Sequence, residues 1–478
     1  MEQGKHIYLI GICGTAMASL AGMLRLRGHR VTGSDAAAYP PMSNLLAELG
    51  IAMAQPYAAA NLEPRPDLVI VGNAISRGNV ELEYVLDQRI PFCSLAAVIH
   101  DEFLAERDSF VVAGTHGKTT TTCMLAWIFE VASRKQPKFA PSFLVGGVAE
   151  NFASSFVLRP TRPFILEGDE YDTAFFDKGP KFLHYFPDAA ILTHVEFDHA
   201  DIYKDLDAVK TAFKRFVNLI PQRGRVIAYD GSENVSQCIA KAFCKVERYG
   251  AREDSFWRVT AMQHNGGHTR WNLLRDGKHF AALELPMAGE HNAMNATAAA
   301  ALAAGEGISA ETIAEALASF RSVKRRLEVR AVVCGVTVID DFAHHPTAIR
   351  ETLKALRNSY SGQRIWAVLE PRSNTLRRNV FERELCESLA LADRVVLAAV
   401  FKSENIPAAE RLAPEHVVDQ LNASGTPAVL LPDADAIVAH IAPLVQPGDV
   451  VAVLSNGGFG GIYEKLPAAI AARVGAAV

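Results

Sequence analysis

The sequence predicts an α/β protein built from three modules, at residues 1–107, 108–323 and 324–478. The chain has 478 residues, which is more than a single hydrophobic core usually supports. Short apolar runs with the composition of buried strands alternate with helical segments, and this alternation predicts mostly parallel sheets. In every module a strand runs directly into a glycine-rich or charged segment. Because ligands of such sheets bind beyond the carboxyl ends of the strands, these segments are the candidate functional sites.

Charge and cysteine content restrict the possible partners. The formal net charge of −5 and the isoelectric point near 6.3 argue against nucleic acid as the main partner. The seven cysteines form no C-x-x-C pair and no zinc-ligand spacing. A scattered, odd-numbered set of cysteines is typical of the reducing cytoplasm. We therefore expect a cytoplasmic protein, and nothing in the sequence specifies its oligomeric state.

The uncharged run at residues 7–24 has two interpretations. A signal peptide or a short membrane helix could have this composition. However, Gly11 and Gly14 interrupt the run. Arg25 and Arg27 end it at positions that continue the helical pattern. This pattern favours a strand, a glycine turn and a helix, so we expect no contact with a membrane.

The first module has the layout of a nucleotide-binding βαβ unit. Its first strand runs into a turn containing Gly11 and Gly14, and a helix is predicted from Thr15 onward. The second strand ends at Ser34 and Asp35. Asp35 lies 24 residues after Gly11, near the position where such units carry the acid that binds ribose. The module is therefore a candidate nucleotide site.

Two alternatives stay open for the chemistry of this module. A third strand runs into Gly72 and Asn73, which adds a polar side chain to the same sheet edge. The glycine turn lacks the full G-x-G-x-x-G pattern, so a nicotinamide cofactor is disfavoured. The remaining G-x-x-G pattern is also compatible with a tight turn in any α/β domain.

The second module opens with a short phosphate-binding loop, GTHGKT at residues 114–119. The usual pattern G-x-x-x-x-G-K-[ST] requires a glycine five residues before Gly117, and that position is Val112. A strand before the loop and a helix after it nevertheless match, since backbone N–H groups at a helix N-terminus can hold a di- or triphosphate. Lys118 is expected to neutralise the β and γ phosphates, and the Thr119 hydroxyl to ligate Mg²⁺.

Glu167 and His199 lie at the ends of two later strands of the second module. Because parallel strands end at the same edge of a sheet, both side chains could reach a metal ion on the phosphates. Mg²⁺ prefers oxygen ligands, so Glu167 suits this role better than His199, for which capping or packing is the alternative. Asp198 and Asp201 could equally be N-caps of the following helix.

Charged residues collect at two strand ends of the third module. Asp340, Asp341, His344 and His345 lie in DDFAHHP, directly after a predicted strand. His345 precedes a proline, which confines it to extended geometry and suits a loop that aims side chains. A set of capping residues is the alternative for this cluster. Arg372 follows a comparable strand and could hold a carboxylate or phosphate, or form a surface ion pair.

Six segments, taken in chain order, resemble the Mur ligase family: GTHGKTTTT, EGDEYD, EFDHAD, HNAMNA, KRRLE and DDFAHHP. Members of this family are ATP-dependent amino-acid and peptide ligases of bacterial cell-wall precursors. The resemblance covers essentially the whole chain. It implies a UDP-binding Rossmann-like N-terminal domain, a central P-loop ATPase domain with a mostly parallel sheet, and a Rossmann-like C-terminal domain. It also implies ATP and Mg²⁺ as cofactors.

The resemblance also assigns roles to individual residues. The residues implied to bind ATP are Gly114, Thr115, His116, Gly117, Lys118, Thr119, Thr120, His291, Asn292, Asn295, Arg326 and Asp340. The residues implied to line the UDP site are Gly11, Gly14, Thr15, Ser34, Asp35 and Asn73. The residues implied to surround Mg²⁺ are Thr119, Glu167 and His199. The residues implied to act in catalysis are Lys118, His199, Asp340, His344 and Arg372.

The resemblance implies UDP-N-acetylmuramate as the acceptor and leaves two amine donors to consider. The segments GICGTAM, EGDEYD, EPRSNT and SNGGFGG resemble members that attach the murein tripeptide L-Ala-γ-D-Glu-meso-diaminopimelate. Members that attach L-alanine usually carry G-x-G-G-x-G-M, EADESD and Q-P-H-R-Y instead, and L-alanine stays the alternative donor. The DNPR motif of a related tripeptide-forming ligase is absent, so the residues that recognise diaminopimelate are not evident.

Lys214 occupies a position that is chemically modified in many relatives. These relatives hold a second Mg²⁺ with a carbamylated lysine some fifteen residues after the histidine that corresponds to His199, and Lys214 lies at that offset. Members that accept UDP-N-acetylmuramate look not to need this group. We therefore expect an unmodified Lys214.

Overall fold

The computed structural model describes residues 4–38 and 42–475. Five parallel strands form the sheet of the first domain, in the order β3-β2-β1-β4-β5. These strands are β1 (His6–Ile10), β2 (Arg30–Ser34), β3 (Ala52–Ala54), β4 (Leu68–Val71) and β5 (Phe92–Ser94). The helices around them are α1 (Thr15–Leu26), α2 (Met42–Glu48), α3 (Val80–Asp87) and α4 (Leu95–Ile99). The strand order reverses between β1 and β4, and such a switch point opens a crevice for ligands.

The uncharged run at residues 7–24 forms β1, the glycine turn and most of α1, as predicted. Ile7 and Leu9 of the strand pack with Leu20 and Met23 of the helix in one buried cluster. Among the described residues, no helix is both long and apolar enough to span a bilayer. The apolar composition of the run is therefore explained by its place in a protein core.

Ten strands form the main sheet of the central domain, in the order β17-β16-β15-β14-β13-β12-β6-β9-β7-β8, and a separate two-stranded ribbon lies beside it. The main strands are β6 (Asp108–Ala113), β7 (Ser142–Ala149), β8 (Ser154–Val157), β9 (Pro163–Gly168), β12 (Ala189–Leu192), β13 (Arg225–Tyr229), β14 (Lys245–Gly250), β15 (Trp257–Asn265), β16 (His268–Arg275) and β17 (Lys278–Leu285). The ribbon comprises β10 (Asp172–Ala174) and β11 (Asp177–Pro180). The helices are α5 (Lys118–Ser133), α6 (Leu206–Asn218), α7 (Glu233–Ile239), α8 (Glu290–Gly305) and α9 (Ala310–Ala318).

The order β12-β6-β9 brings the chemistry of the central domain together. These three strands are parallel neighbours, and Ala113 at the end of β6 pairs with Gly168 on one side and Leu192 on the other. The phosphate loop, the EGDEYD segment and the residues after β12 therefore leave the sheet side by side. The pairs β15–β16, β16–β17 and β7–β8 are antiparallel and the other pairs of the main sheet are parallel, so the prediction of a mostly parallel sheet with polar segments at its carboxyl edge is confirmed.

Six strands form the sheet of the third domain, in the order β18-β19-β23-β20-β21-β22. These strands are β18 (Glu328–Val333), β19 (Val336–Asp341), β20 (Ile365–Leu369), β21 (Arg394–Ala398), β22 (Ala428–Leu431) and β23 (Val450–Leu454). The helices are α10 (Pro346–Ser359), α11 (Glu382–Leu389), α12 (Pro414–Ala423), α13 (Ala434–Ile441) and α14 (Ile462–Gly475). All pairs except β18–β19 are parallel, so the ends of β19, β23 and β20 lie next to one another.

The central domain contacts both of the other domains. Helix α1 packs on β7 and β8, where Gly22 lies against Phe156 and the hydroxyls of Ser19 and Ser155 are 2.8 Å apart. The central domain meets the third domain through hydrogen bonds between loops and through contacts between rings, Phe197 with Phe381 and His116 with His345.

Candidate active site

Hydrogen bonds fix the phosphate loop to the segment that follows β12. The Thr115 N–H donates to the His194 carbonyl oxygen at 2.7 Å, and the Thr193 hydroxyl donates to the His116 carbonyl oxygen at 2.6 Å. Gly117 ends the loop with a φ of 78°, a left-handed value that favours glycine, and precedes the first residue of α5. The loop therefore lies against the N-terminus of α5, whose N–H groups can bind phosphate.

Lys118, the first residue of α5, is paired with a buried carboxylate. Its Nζ lies 2.7 Å from Glu170 Oε2, and Glu170 is only 1% exposed. His199 Nε2 lies 3.4 Å from the other oxygen of the same carboxylate. Burial by itself lowers the pKa of Lys118, but the charges of Glu170 and Asp169 outweigh burial and raise this pKa. The ammonium group is therefore charged, and phosphate oxygens could replace Glu170 as its partner.

Two further carboxylates lie beside Lys118. Both oxygens of Glu167 are 3.0 Å from the Thr119 hydroxyl, and burial raises the pKa of Glu167. Asp169 lies 2.9 Å from Lys181 Nζ. Burial would raise the pKa of Asp169, but Lys181 and Lys118 hold it well below its usual range. The end of β9 therefore concentrates negative charge next to the phosphate loop.

This group of side chains fits a divalent cation. The ligand atoms of Asp169, Glu170 and His199 lie within 4.8 Å of one another, and Thr119 and Glu167 add oxygen atoms beside them. Mg²⁺ prefers oxygen ligands, which predominate here. His199 has a φ of 55°, and such backbone strain in a residue other than glycine is typical of functional sites. Sequence reasoning missed Asp169 and Glu170 as members of the cluster, although the EGDEYD segment contains both.

A cavity of about 330 Å³, the nucleotide cavity, adjoins the phosphate loop. It is lined by seven of the residues predicted to bind ATP: His116, Gly117, Thr120, His291, Asn292, Asn295 and Arg326. Asn295 lies so close to the loop that a Cβ at Gly117 would be 2.6 Å from Asn295 Oδ1. Burial lowers the pKa of His291 and so favours its neutral imidazole. The structure thus brings the α8 motif and the phosphate loop to one cavity of a size that suits a small ligand.

Asp340, which the resemblance implies to bind ATP, does not line the nucleotide cavity. Its carboxylate is 3.1 Å from Arg325 Nε, and the same guanidinium donates to the Ser455 carbonyl oxygen at 2.7 Å. Asp341 and Arg326 line the nucleotide cavity, and Asp340 does not. Successive residues of a strand point to opposite faces, so a difference of one residue decides which aspartate faces the cavity.

His345 and its neighbours agree in part with the capping alternative. His345 precedes α10, and its Nδ1 accepts a hydrogen bond from the Thr347 N–H at 3.3 Å. Its Nε2 lies 3.2 Å from the Phe197 carbonyl oxygen in the central domain. Burial, followed by the charge of His116, lowers the pKa of His345 to about 4. His345 is therefore a neutral helix cap that also contacts the central domain.

A second cavity of about 540 Å³, the domain-junction cavity, lies where the three domains meet. Asn73 of the first domain, His199 of the central domain, and His344 and Arg372 of the third domain all line it. His344 Nδ1 is 2.8 Å from the Phe342 carbonyl oxygen. Because a carbonyl oxygen only accepts, Nδ1 carries the proton and Nε2 is left as a proton acceptor. Burial lowers the pKa of His344, which keeps the imidazole neutral.

The segment after β12 connects the phosphate loop with the third domain. Glu196 Oε2 lies 3.1 Å from His116 Nε2 and accepts the Thr347 hydroxyl at 2.7 Å. Burial would raise the pKa of Glu196, but the hydrogen bond and charge of His116 lower it to about 2. Asp198 likewise accepts the Thr375 hydroxyl of the third domain at 2.6 Å. Glu196 therefore links His116 of the phosphate loop directly to Thr347 of the third domain, and a movement of the loop can reach that domain through this side chain.

The alternative that Asp198 and Asp201 cap the following helix is wrong. The N-cap of α6 is Asp205. Asp201 instead accepts a hydrogen bond from the Asn374 amide of the third domain at 2.7 Å. Both acids therefore hold the domain contact, as does Glu196, which sequence reasoning missed because its partners are distant in the chain.

Most residues predicted to line the UDP site meet at the switch point of the first domain. Gly11 follows β1 with a φ of 82°, and Gly14 and Thr15 begin α1. The Cys13 N–H donates to an Asp35 carboxylate oxygen at 2.8 Å, so Asp35 fixes the shape of the glycine turn. Asp35 is half-buried, and the turn is open to the crevice beside it.

Ser34 is placed differently from the other residues predicted at the UDP site. Its hydroxyl donates to the buried carboxylate of Glu81. Glu81 also accepts from the Tyr8 hydroxyl at 3.1 Å and from the Asn61 amide at 2.7 Å. The Ser34 side chain is thus part of a buried network, and only its backbone faces the glycine turn.

Lys214 lies outside the site. Its side chain is exposed on α6 and lines neither the nucleotide cavity nor the domain-junction cavity. The absence of a carbamate on Lys214 stays a prediction.

The chain resembles known proteins along its whole length. Three family models match in turn: Mur ligase family, catalytic domain, at residues 6–106; Mur ligase middle domain at 112–303; and Mur ligase, glutamate ligase domain, at 325–457. UDP-N-acetylmuramate–L-alanyl-gamma-D-glutamyl-meso-2,6-diaminoheptandioate ligase of Escherichia coli (strain K12) is 44% identical, over 99% of this chain and 100% of the relative. UDP-N-acetylmuramate–L-alanine ligase of Syntrophomonas wolfei is 31% identical, over 95% of each chain.

A solved structure extends the same likeness to the fold. The crystal structure of a murein peptide ligase from Psychrobacter arcticus is 36% identical, with a TM-score of 0.74 over 98% of this chain and 99% of that one. The main sheets of the three domains follow the order of the matching domain models. The chain belongs to the Mur ligase family.

Proposed function

We propose that this protein joins L-Ala-γ-D-Glu-meso-diaminopimelate to UDP-N-acetylmuramate with the hydrolysis of ATP, in the cytoplasm. The observation that carries the proposal is the contact of Glu170 with both Lys118, the residue after Gly117 of the phosphate loop, and His199. The phosphate loop on one side lines the nucleotide cavity, and Asp169 and His199 on the other side line the domain-junction cavity. A γ-phosphate beside Lys118 would therefore face an acceptor in the second cavity. The higher identity to the tripeptide ligase than to the L-alanine ligase supports this donor.

The first step is phosphoryl transfer to the acceptor. A lactyl carboxylate oxygen of UDP-N-acetylmuramate attacks the γ-phosphorus, and the bond from this phosphorus to the ADP oxygen breaks, giving an acyl phosphate and ADP. Lys118 exchanges Glu170 for the phosphate oxygens and neutralises their charge. Thr119, Glu167 and His199 would hold Mg²⁺, which when bound supplies further positive charge at the phosphates. Positioning and charge neutralisation are the main requirements of this chemistry.

The second step forms the amide bond. The α-amine of the tripeptide attacks the acyl carbon, and the tetrahedral intermediate expels phosphate. The amine must lose a proton, and His344 Nε2 is the acceptor best placed in the domain-junction cavity, since Nδ1 is committed to the Phe342 carbonyl oxygen. Asp340, the other candidate, is occupied by Arg325. We therefore assign proton acceptance to His344.

The acceptor would span the first domain and the domain junction. Its UDP part lies at the glycine turn, with Gly11, Gly14, Thr15 and Asp35 around it. Asn73 lines the domain-junction cavity and is placed to contact the sugar end. Movement of the third domain would bring Arg326 and Asp341 onto the nucleotide, because both line its cavity from that domain.

The proposal is tested by phosphate release from ATP in the presence of UDP-N-acetylmuramate. We expect turnover with the tripeptide and little with L-alanine at equal concentration. The reverse preference would retain the fold and the acyl-phosphate chemistry but make L-alanine the donor. Phosphate release that does not depend on UDP-N-acetylmuramate would contradict the acceptor.

A further inference from the structure

The domain-junction cavity has a cationic wall that the reaction steps above do not use. The wall belongs to the third domain and comes from the end of β20 and from the turn after β21. Arg372 lies at the end of β20, and Phe401, Lys402 and Asn405 lie in the turn. If the proposed function is correct, this wall faces the peptide, since the central domain occupies the other side with Asp169 and His199.

The turn is held in a strained shape by Arg377. This guanidinium donates to the Phe401 and Lys402 carbonyl oxygens, each at 3.3 Å, and to Asn374 Oδ1 at 2.6 Å. The Phe401 N–H donates back to the Pro371 carbonyl oxygen at 3.1 Å. Lys402 has a φ of 47°, in the left-handed region that residues with a side chain rarely adopt. Backbone strain of this kind persists only where neighbouring contacts hold the residue in place.

Two cations on this wall share one aromatic ring but differ in their partners. The Arg372 Cζ is 3.8 Å from the centre of the Phe401 ring, and its Nη1 is 3.4 Å from a Glu370 oxygen. Lys402 Nζ is 5.3 Å from the same ring centre. Within the described part of the chain, no carboxylate lies within 4.0 Å of Lys402 Nζ. Arg372 is half-buried and Lys402 is exposed, so the uncompensated charge lies nearer the cavity mouth.

A second feature of the same cavity points independently to a ligand. The side-chain oxygen of Asn456, in the loop after β23, is buried without a hydrogen-bond partner among the described residues. Buried polar atoms without partners are rare in folded proteins. A peptide N–H in the cavity would satisfy this oxygen, whereas an apolar ligand would not. The lining therefore suits an anionic peptide.

We propose that Lys402 recognises the carboxylate at the far end of the diaminopimelate side chain, while Arg372 pairs with a carboxylate closer to the reacting amine. Meso-diaminopimelate carries a carboxylate at each end, and L-lysine is the same residue without the far one. A lysine ammonium at the mouth of the cavity would therefore distinguish the two peptides. Specificity then comes from one charge-assisted contact that only the diaminopimelate peptide completes.

The test compares two peptides and three enzymes. The peptides are L-Ala-γ-D-Glu-meso-diaminopimelate and L-Ala-γ-D-Glu-L-Lys, and the enzymes are the wild type, Lys402→Met and Lys402→Arg. In the wild type the KM should be about tenfold lower for the diaminopimelate peptide, as expected for a contact between charged groups. In Lys402→Met the two KM values should become nearly equal, with kcat and the KM for ATP little changed. Lys402→Arg should keep most of the difference.

The other possible outcomes would refute either the role of Lys402 or the proposed function. Equal KM values in the wild type, or an undiminished difference in Lys402→Met, would overturn the role of Lys402 while leaving tripeptide ligation intact. A loss of affinity for both peptides alike in Lys402→Met would also overturn it, because that result indicates only a disturbed turn. Failure of the wild type to use either peptide would instead refute the proposed function, and this inference with it.

Discussion

Replacing Lys118 by methionine is expected to lower phosphate release by about three orders of magnitude, because one preorganised charge at the transferring phosphoryl group is lost. Methionine preserves most of the side-chain volume and removes the ammonium group that now lies 2.7 Å from Glu170. The same substitution at Lys178 is the matched control. Lys178 pairs with Asp172 at 2.7 Å in the same region, but its side chain is 68% exposed, so activity should be nearly unchanged.

Loss of activity in Lys118→Met must be separated from loss of folding. The variant leaves the buried carboxylate of Glu170 without its main partner, and breaking a buried pair in this way typically costs about 3–5 kcal/mol. The double variant Lys118→Met, Glu170→Gln removes the unpaired charge. We expect thermal denaturation of the double variant to be closer to that of the wild type, while activity stays low. Recovery of activity together with stability would contradict the role of Lys118 at the phosphates.

The substitution Gly117→Ala is expected to reduce kcat/KM for ATP by about 100-fold, since displacing a contact by about 1 Å can have that effect. The new Cβ would lie 2.6 Å from Asn295 Oδ1, so Asn295 must move away from the nucleotide cavity. Gly277→Ala is the matched control. Gly277 has a φ of 72°, close to the 78° of Gly117, but a Cβ there would meet no described atom within 4 Å.

The two glycine variants share their backbone cost and differ only in the steric contact. Each alanine in the left-handed region should cost about 1 kcal/mol of stability, measured as the free energy of unfolding. Only Gly117→Ala should also change the kinetics with ATP. Equal kinetics in both variants would show that Asn295 does not need its present position against the loop.

The sequence alone predicted those parts of the site that come immediately after a strand. His6–Ile10 with its glycine turn, the loop before Lys118, and the strands ending near Glu167 and Arg372 each depend on local pattern. Parallel strands of one sheet end at the same edge, so local patterns also predicted that the loop before Lys118 and the strand ending near Glu167 would leave the central sheet side by side. The neighbouring ends of β6 and β9 confirm this.

Local patterns do not decide those features of the site that depend on the register of a strand or on a partner distant in the chain. Asp340 and Asp341 are identical in type and adjacent, and only the orientation of β19 determines that Asp341 faces the nucleotide cavity. Ser34 lies at the end of β2 and so looks available to a ligand. Its hydroxyl instead donates a hydrogen bond to Glu81 of α3. Glu196 joins a histidine 80 residues before it to a threonine 151 residues after it. No local pattern contains such a contact.

The most direct measurement uses UDP-N-acetylmuramate labelled with ¹⁸O in both oxygens of the lactyl carboxylate, with ATP and the murein tripeptide. An acyl phosphate requires that one labelled oxygen leave with the phosphate when the amine attacks, and that the other remain in the new amide. We expect mass spectrometry to show singly labelled phosphate together with the UDP-N-acetylmuramoyl tripeptide. Unlabelled phosphate, or the absence of the tripeptide product, would contradict ligation through an activated acceptor.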